Sequence, residues 1–466
     1  MLLFIAIVGG LLIMMGQHTR SESLFYYFRL EDHVPESHLL RLIDRHISFD
    51  FVREKLRDSY SETGRPSIDP EVLLRILLVG YIYGVTSERK LVEELRMHLA
   101  WRWFTGLGFD QEIPHHSTFS KNRHGRFQES NLFQELFERI VDQCISAGLV
   151  KGDHMSVDGS FVQADATGDS RVPREQLAEA AQVNRTVRQY LSELEQENGD
   201  GEHHEPVHRQ DKVSTTDPDA TYASKGSAVA TLGYYDNYLI DNASCVILGV
   251  QATAARLSQE SAAARDMITR FHERQGRYPQ SLAADTTYGN GEMLQWLLDR
   301  EITPYMRVKE SAYPKGQLYG NDKFTYQPET DSFICPQGKR LPYVSTNRGN
   351  RMYVYHSTAK RCRDCPVKAQ CTNGVYRIVS VHIHEPARQR AYEIATTPAF
   401  AKAQCERRKV EALWAELKNQ IGLRRLRLRR MKFVREQFYL GATVQNMKRL
   451  VRFLSMKPNE PAVATV

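Results

Sequence analysis

The chain has 466 residues, 41% of them hydrophobic and 25% charged, which is ordinary for a globular protein and rules out collagen, a long coiled coil and wholesale disorder. At about 150 residues per domain, this length suits two or three domains. Lys and Arg total 62 against 56 Asp and Glu, so the net charge of +6 identifies no partner unless the positive charge is clustered. The odd count of seven cysteines argues against a complete disulfide framework and for reduced thiols or a metal site.

Residues 1–19 open the chain with an apolar run, Leu2 to Met15, short of the ~20 residues of a spanning helix. No Lys or Arg precedes it and no small-residue cleavage site follows, so a signal peptide fits poorly. Met14 and Met15 close the run, which reads as an over-extended start; a membrane anchor is the alternative.

Residues 20–150 read as helices joined by short polar turns. Asp69, Pro70 and Glu71 form an N-cap, N1 and first-turn sequence, and the apolar segment Val72–Tyr83 follows as a helix. Leu91, Leu95 and Leu99 suggest a second helix. Leu132, Phe133, Leu136, Phe137, Ile140, Val141 and Cys144 form a helical stripe that Gly148 ends. The basic segment from His116 to Arg126 could start a helix that meets DNA.

Near residue 155 the period changes to that of a strand, Met155–Gln163. Residues 168–215 are polar and read as an exposed insertion with one helix at 174–194 and an acidic patch at Glu193, Glu195, Glu197, Asp200, Glu202 and Glu205. Its His203, His204 and His208 read as a solvated loop and not as a metal site. Val229–Leu239 and Ala243–Ala252 predict a hairpin about Asp241-Asn242. A helix at Gln259–Gln275, a strand at Ser281–Ala284, a helix at Gly291–Arg300 capped by Asn290 and a strand at Ile302–Val308 complete an α/β plan with a mixed sheet over residues 151–309.

Residues 310–380 interrupt that plan with Cys335, Cys362, Cys365 and Cys371. Four thiolates could hold a structural Zn²⁺ tetrahedrally, with His356 and His382 as substitutes, although the spacing is looser than paired knuckles and free thiols stay open. Cys144, Cys245 and Cys405 read as packing residues. Residues 381–454 form the last part, helical over Pro386–Gly422 and then basic from Arg424 to Lys432; a tail, 455–466, follows. Residues 402–435 carry twelve Lys/Arg and three Glu, a local net of +9, as a phosphate-binding strip requires.

Three carboxylates stand out. Asp158 interrupts an apolar strand, and Asp285 ends the next usable one, where ligands gather in α/β sheets. Asp153 and Asp165 are rivals to Asp158, but each lies an odd number of residues away and takes the opposite strand face. On a helical projection, Arg407, Glu411, Trp414 and Lys418 share one edge of the core stripe Val410, Leu413, Leu417 and Ile421, and Glu416 points elsewhere. Taken singly, each is a turn carboxylate or a surface ion pair. Together, two strand aspartates and a helix glutamate could hold two hard divalent cations, with Arg407 and Lys418 on substrate phosphates.

The stretches YSETGRPSIDPEVLLRILLVGYIYGVTSERKL, HSTFSKNRHGRF, VDGSFVQADA, LAADTTYG and RRKVEALWAELKNQIG resemble bacterial insertion-sequence transposases of the DDE type. The resemblance runs from about Leu24 to Leu454. It implies an InsH-like all-α N-terminal domain at 20–150 for DNA binding and multimerisation, an RNase H-like mixed-sheet catalytic core and a small Cys-containing insertion. It also implies Asp158, Asp285 and Glu411 as the catalytic, Mg²⁺- or Mn²⁺-binding triad, spaced 127 and 126 residues apart. In the family's Tyr-x2-Arg-x3-Glu-x6-Lys signature, Arg407, Glu411 and Lys418 match, and Gln404 stands where Tyr is expected.

The expected activity is DNA transposition. The protein would bind terminal inverted repeats, cleave by two-metal hydrolysis and join 3′-OH ends to target DNA, acting as a homodimer or higher multimer in the bacterial cytoplasm at the nucleoid. Arg424, Arg425 and Arg427 join Arg407 and Lys418 as DNA-binding candidates; no small-molecule substrate and no membrane partner is expected. The alternatives are an inactive or domesticated DNA-binding relative and a metal-dependent nuclease without strand transfer.

Overall fold

The computed structural model describes residues 28–60, 67–198, 212–223, 229–255, 259–309, 318–349 and 351–456. The apolar N-terminal run, the three insertion histidines and part of the acidic patch lie outside these residues. Among the described residues no helix is long and apolar enough to cross a membrane.

The first part is all helical up to Ser146. Asp69 accepts the Glu71 N–H and Pro70 takes the first position of the Pro70–Ile82 helix, which is buried on almost every side. The stripe on Leu132–Ser146 is buried in full, and Gly148, at φ 77°, turns the chain out of it. The second expected helix is shorter than its leucine spacing suggests. Glu88–Met97 ends at His98, whose backbone is extended, and Leu99 belongs to the next helix, Leu99–Thr105. His98 stacks on Trp101 at 4.6 Å, which fixes the corner.

Strand β1 (His154–Gln163) is the middle of the main sheet. A ribbon of β2 (Arg171–Pro173) and β3 (Lys212–Ser214) lies apart; β4 (Thr221–Ala223), β5 (Thr231–Asp241) and β6 (Ile247–Ala254) extend the main sheet on one side, β7 (Ser281–Ala283) and β8 (Thr303–Tyr305) on the other. β5 is antiparallel to β1, β4 and β6, whereas β7 and β8 run parallel to β1. The expected hairpin is β5–β6, and the expected helix–strand–helix–strand order follows it up to β8, whereas β2, β3 and β4 were not expected in the polar stretch between β1 and β5.

The polar insertion holds two helices, Leu177–Val183 and Arg185–Asn198, where one was expected. Asn184 separates them: its backbone is extended and its side chain accepts the N–H groups of Thr186 and Val187, capping the second helix. Leu177, Val187 and Val213 give the insertion a core of its own.

The Cys-bearing region is an antiparallel sheet of β9 (Thr325–Gln327), β10 (Ser332–Ile334), β11 (Arg340–Asn347), β12 (Met352–His356) and β13 (Ile378–His382), with neighbours in chain order. Phe324, Phe333, Leu341, Tyr355, Cys371 and Val379 form its separate core.

The late helical stretch is segmented into Glu385–Ala395, Pro398–Arg407, Lys409–Ala415 and a wide π-type turn, Glu416–Gln420. Thr397 caps the second segment with Pro398 at its first position, so a new helix starts there. The basic residues that follow run alongside the end of β1: Leu426 donates its N–H to the Gln163 carbonyl at 2.8 Å, and Gln163 donates to Arg424 O at 3.2 Å. The last helix, Met431–Ser455, packs against Leu39–His46, Pro70–Ile82, Leu132–Ser146 and β6. Asn446 both accepts from and donates to the Ile247 backbone at 2.8 Å. The first helices, the main sheet and the last helix therefore share one continuous core.

Candidate active site

Asp158 faces the C-terminal helices from the middle of β1. Its Oδ2 accepts a hydrogen bond from Trp414 Nε1 at 3.1 Å, and its Oδ1 lies 3.8 Å from an Arg407 guanidinium nitrogen. Burial pushes its carboxyl above the ordinary carboxylate range; the Trp414 bond and Arg407 pull it back, and the charge of Asp285 adds to the rise. A carboxylate penalised by burial and by a second carboxylate is relieved by a bound cation.

Asp285 follows β7, the parallel neighbour of β1. It caps the next turn by accepting the Thr287 N–H at 2.8 Å. The turn places Tyr288 in the core, 1% exposed, with a hydroxyl that has no hydrogen-bond partner among the described residues. Burial raises its phenol well above the usual value, and Asp158 and Asp285 add to this. Asn237 Oδ1 is also unpaired, and a Cβ on Gly159 would lie 2.8 Å from it and 3.6 Å from the Tyr288 hydroxyl. The glycine at 159 thus leaves room for polar groups beside the aspartates.

Glu411 is exposed on Lys409–Ala415 and has no ion-pair partner among the described residues. The single helix edge expected from sequence is divided over three segments that all reach β1: Arg407, at the end of Pro398–Arg407, and Trp414, on the Glu411 helix, approach Asp158, and Lys418, in the π-type turn, donates from Nζ to Ser160 Oγ at 2.7 Å. Trp414 also stacks on Tyr238 at 4.1 Å. Glu416 points to the last helix, bonding Gln445 and Arg449 at 3.2 Å and Lys448 at 3.4 Å. Among the described residues no three His, Cys, Asp or Glu side chains are drawn together closely enough to hold a metal ion.

Three neighbours of these carboxylates have contacts that the sequence reading did not give them. Asp236, opposite Ser160 on β5, is fully buried with both carboxylate oxygens unpaired, and burial holds its carboxyl well above the usual range. It interrupts an apolar strand just as Asp158 does, so the same signal was present. Trp414 was placed on the correct helix edge without its bond to Asp158. Gln404 Nε2 donates to the carbonyls of Ala284 and Tyr305, tying its helix to the ends of β7 and β8.

The rivals of Asp158 are engaged elsewhere. Asp153 pairs with Arg277 at 2.8 Å, and Asp165 with Arg425 and Arg429 at 3.0 Å. Arg424, Arg425 and Arg429 are exposed beside the end of β1. Arg427 turns inward and lies over the Tyr81 ring at 4.4 Å, and Arg430 is buried against Asp219. In the His116–Arg126 segment, Phe119, Asn122 and Arg123 are buried, so much of it packs inward.

None of the four cysteines of the insertion is in a disulfide. Burial raises the Cys371 thiol, and Cys335, Cys362 and Cys365 each add to the rise, so the four occupy one neighbourhood. Cys335 Sγ accepts the Lys339 N–H at 3.3 Å in a turn whose Gly338 has φ 68°.

Two family models match this chain. A transposase domain, DUF772, matches residues 28–125, and a transposase DDE domain matches residues 334–451. The second match contains Glu411 and the four insertion cysteines, and stops short of Asp158 and Asp285. These are the parts of a mobile-element protein. The two matches, one towards each end of the chain, support an insertion-sequence DDE transposase. No curated protein matches it. Among solved structures, the piggyBac transposase synaptic complex with hairpin DNA, seen by cryo-EM, is similar at a TM-score of 0.34 and 9% identity, over 89% of this chain and 78% of the other.

Proposed function

We propose that this transposase binds the terminal inverted repeats of its element, cleaves there and joins the freed 3′-OH ends to target DNA. The observation that supports this most is the setting of Asp158. It lies on the central strand, beside the strand that Asp285 ends, and Arg407 and Trp414 bring the Glu411 helix edge against it. The order β6–β5–β1–β7–β8, antiparallel then parallel, fits an RNase H-like core split by the Cys-bearing insertion, with the domain limits given above.

Asp158, Asp285 and Glu411 would hold Mg²⁺ or Mn²⁺; their all-oxygen donor set suits a hard cation, and the unpaired Tyr288 hydroxyl and raised Asp158 carboxyl fit a polar site built for added charge. Bound there, the ions supply activation of the attacking oxygen and stabilisation of the leaving one. Trp414 fixes the Asp158 carboxylate, whereas Arg407 and Lys418 stand ready for substrate phosphates. Arg424 and Arg425 hold the duplex beside β1, and Arg427 supports that segment from within. Cys335, Cys362, Cys365 and Cys371 would hold a structural Zn²⁺. The protein acts as a homodimer or higher multimer on nucleoid DNA in the cytoplasm.

The test incubates the protein with DNA carrying the element's ends and Mg²⁺. Joined products are expected, with none in chelator. Asp285→Asn should bind DNA and fail to cleave. Cleavage without joining would leave a nuclease. DNA binding without cleavage would favour the inactive relative, the reading supported by three carboxylates that are not drawn together closely enough to hold a metal.

A further inference from the structure

Where the N-terminal helices meet the C-terminal basic segment there is a cavity of about 300 Å³ that the proposed chemistry does not use. Tyr81 stands in its wall with an arginine on each side. Arg123 is 2% exposed and donates to the Tyr81 hydroxyl at 3.0 Å. Among the described residues its Nε has no acceptor, and the nearest carboxylates, Glu88 at 3.6 Å and Glu436 at 3.9 Å, lie beyond good hydrogen-bond reach. Arg427 lies over the Tyr81 ring and donates to Ile421 O at 3.0 Å; its Nε is also without an acceptor among the described residues.

Two buried guanidinium edges with unmet donors are unfavourable unless something accepts from them. The rest of the wall points to the same class of acceptor. The ten-residue helix Glu88–Met97 begins at the cavity with Ser87 as its cap, so its first-turn N–H groups lack intrahelical acceptors. Arg89 is exposed at the opening, and the lining holds three arginines against one glutamate. The volume is about ten times the ~30 Å³ share of a water molecule, room for an oxyanion with part of an attached group.

We propose that this cavity is a phosphate site, in which Arg123 and Arg427 hold the oxygens of a phosphate ester: a backbone phosphodiester of bound DNA, or a free phosphomonoester. Guanidinium groups hold phosphate oxygens through charge-assisted bonds. The site is separate from the carboxylates and does not depend on the cleavage chemistry assigned to them.

The probe is inorganic phosphate, followed by ³¹P NMR line broadening with the full chain, at ionic strength matched with chloride. Saturable binding is expected, weakened at least about tenfold in Arg123→Met and in Arg427→Gln, each checked for folding by circular dichroism. If Arg123→Met does not fold, Arg427→Gln decides alone. A short duplex lacking terminal phosphates is then added. Displacement of phosphate assigns the site to the DNA backbone; phosphate that stays bound beside the duplex assigns it to a free phosphomonoester. No saturable binding to folded wild type, or binding unchanged in the folded variants, overturns the proposal. Loss of cleavage in Asp285→Asn would leave these results unaltered, so the two readings fail separately.

Discussion

Replacing Glu411 and Glu416 separately by Gln sets two neighbouring carboxylates against each other. Five residues at about 100° each put them roughly 140° apart around the helix. Glu411 is exposed and has no ion-pair partner among the described residues, so Glu411→Gln should change stability by no more than about 0.5 kcal/mol. If it holds a catalytic ion, cleavage should fall at least about a thousandfold, or ~4 kcal/mol of transition-state stabilisation. Glu416 gives the opposite pattern. Its side chain is 15% exposed and accepts from Gln445, Lys448 and Arg449, all on the last helix. Removing its charge weakens two charge-assisted contacts, so Glu416→Gln should lower stability by about 2 kcal/mol and leave cleavage per folded molecule near wild type. Urea denaturation, gel-shift binding and Mg²⁺-dependent cleavage of end DNA measure the three quantities. A live Glu411→Gln with a folded but dead Glu416→Gln would refute the register of this helix and the role of its edge.

Glu436 is buried beside Arg123 and its carboxyl is pushed up to about 7 from 4.5, chiefly by burial. The folded state therefore holds this proton more tightly than the unfolded chain, and the resulting stability is lost as pH rises from about 4.5 to about 7, by up to ~3 kcal/mol. Glu436→Gln should be nearly neutral at pH about 4 and stabilising at pH about 8 in urea titrations; equal effects at both pH values would disprove this. Gly84 has φ 69°, and a Cβ there would lie 2.2 Å from Gln420 O, so Gly84→Ala should cost about 3 kcal/mol or more, read from the denaturation midpoint. Metal analysis should find about one zinc per chain, and Cys362→Ser should lose it and loosen the β9–β13 sheet; a folded zinc-free wild type would exclude the site.

The sequence carried β1, the β5–β6 hairpin, β7, β8 and the helix caps at Asp69 and Asn290 because these depend on local rules, whereas the short strands β2–β4 and the β9–β13 sheet have no alternation of their own to announce them. Alternation marks β1, and Asp69 and Asn290 cap through their own side chains. Features set by distant partners were not legible. Asp236 carries the same interruption signal as Asp158, but its burial comes from β1 and β6 on either side of it. The run from Arg424 to Lys432 reads as one basic surface. Pinning to Gln163 and to the Tyr81 ring instead sends Arg427 inward and leaves Arg424 and Arg425 outside. Gln404 reads as a departure from Tyr until its contacts with Ala284 and Tyr305 give it a work of its own.

The last helix also governs when the protein can fold. Its residues complete the core around Leu40, Leu74 and Leu136, some three to four hundred positions earlier in the chain. Contacts of such sequence separation form late, because the loop between them must close first. A ribosome carrying everything up to Leu423 has made Asp158, Asp285 and Glu411 but not the helix that receives Glu416 and completes the N-terminal core. Nascent chains therefore expose the apolar faces of Pro70–Ile82 and Leu132–Ser146 until synthesis ends, and a fragment of residues 28–146 should behave as an aggregation-prone partial core and not as a free-standing module.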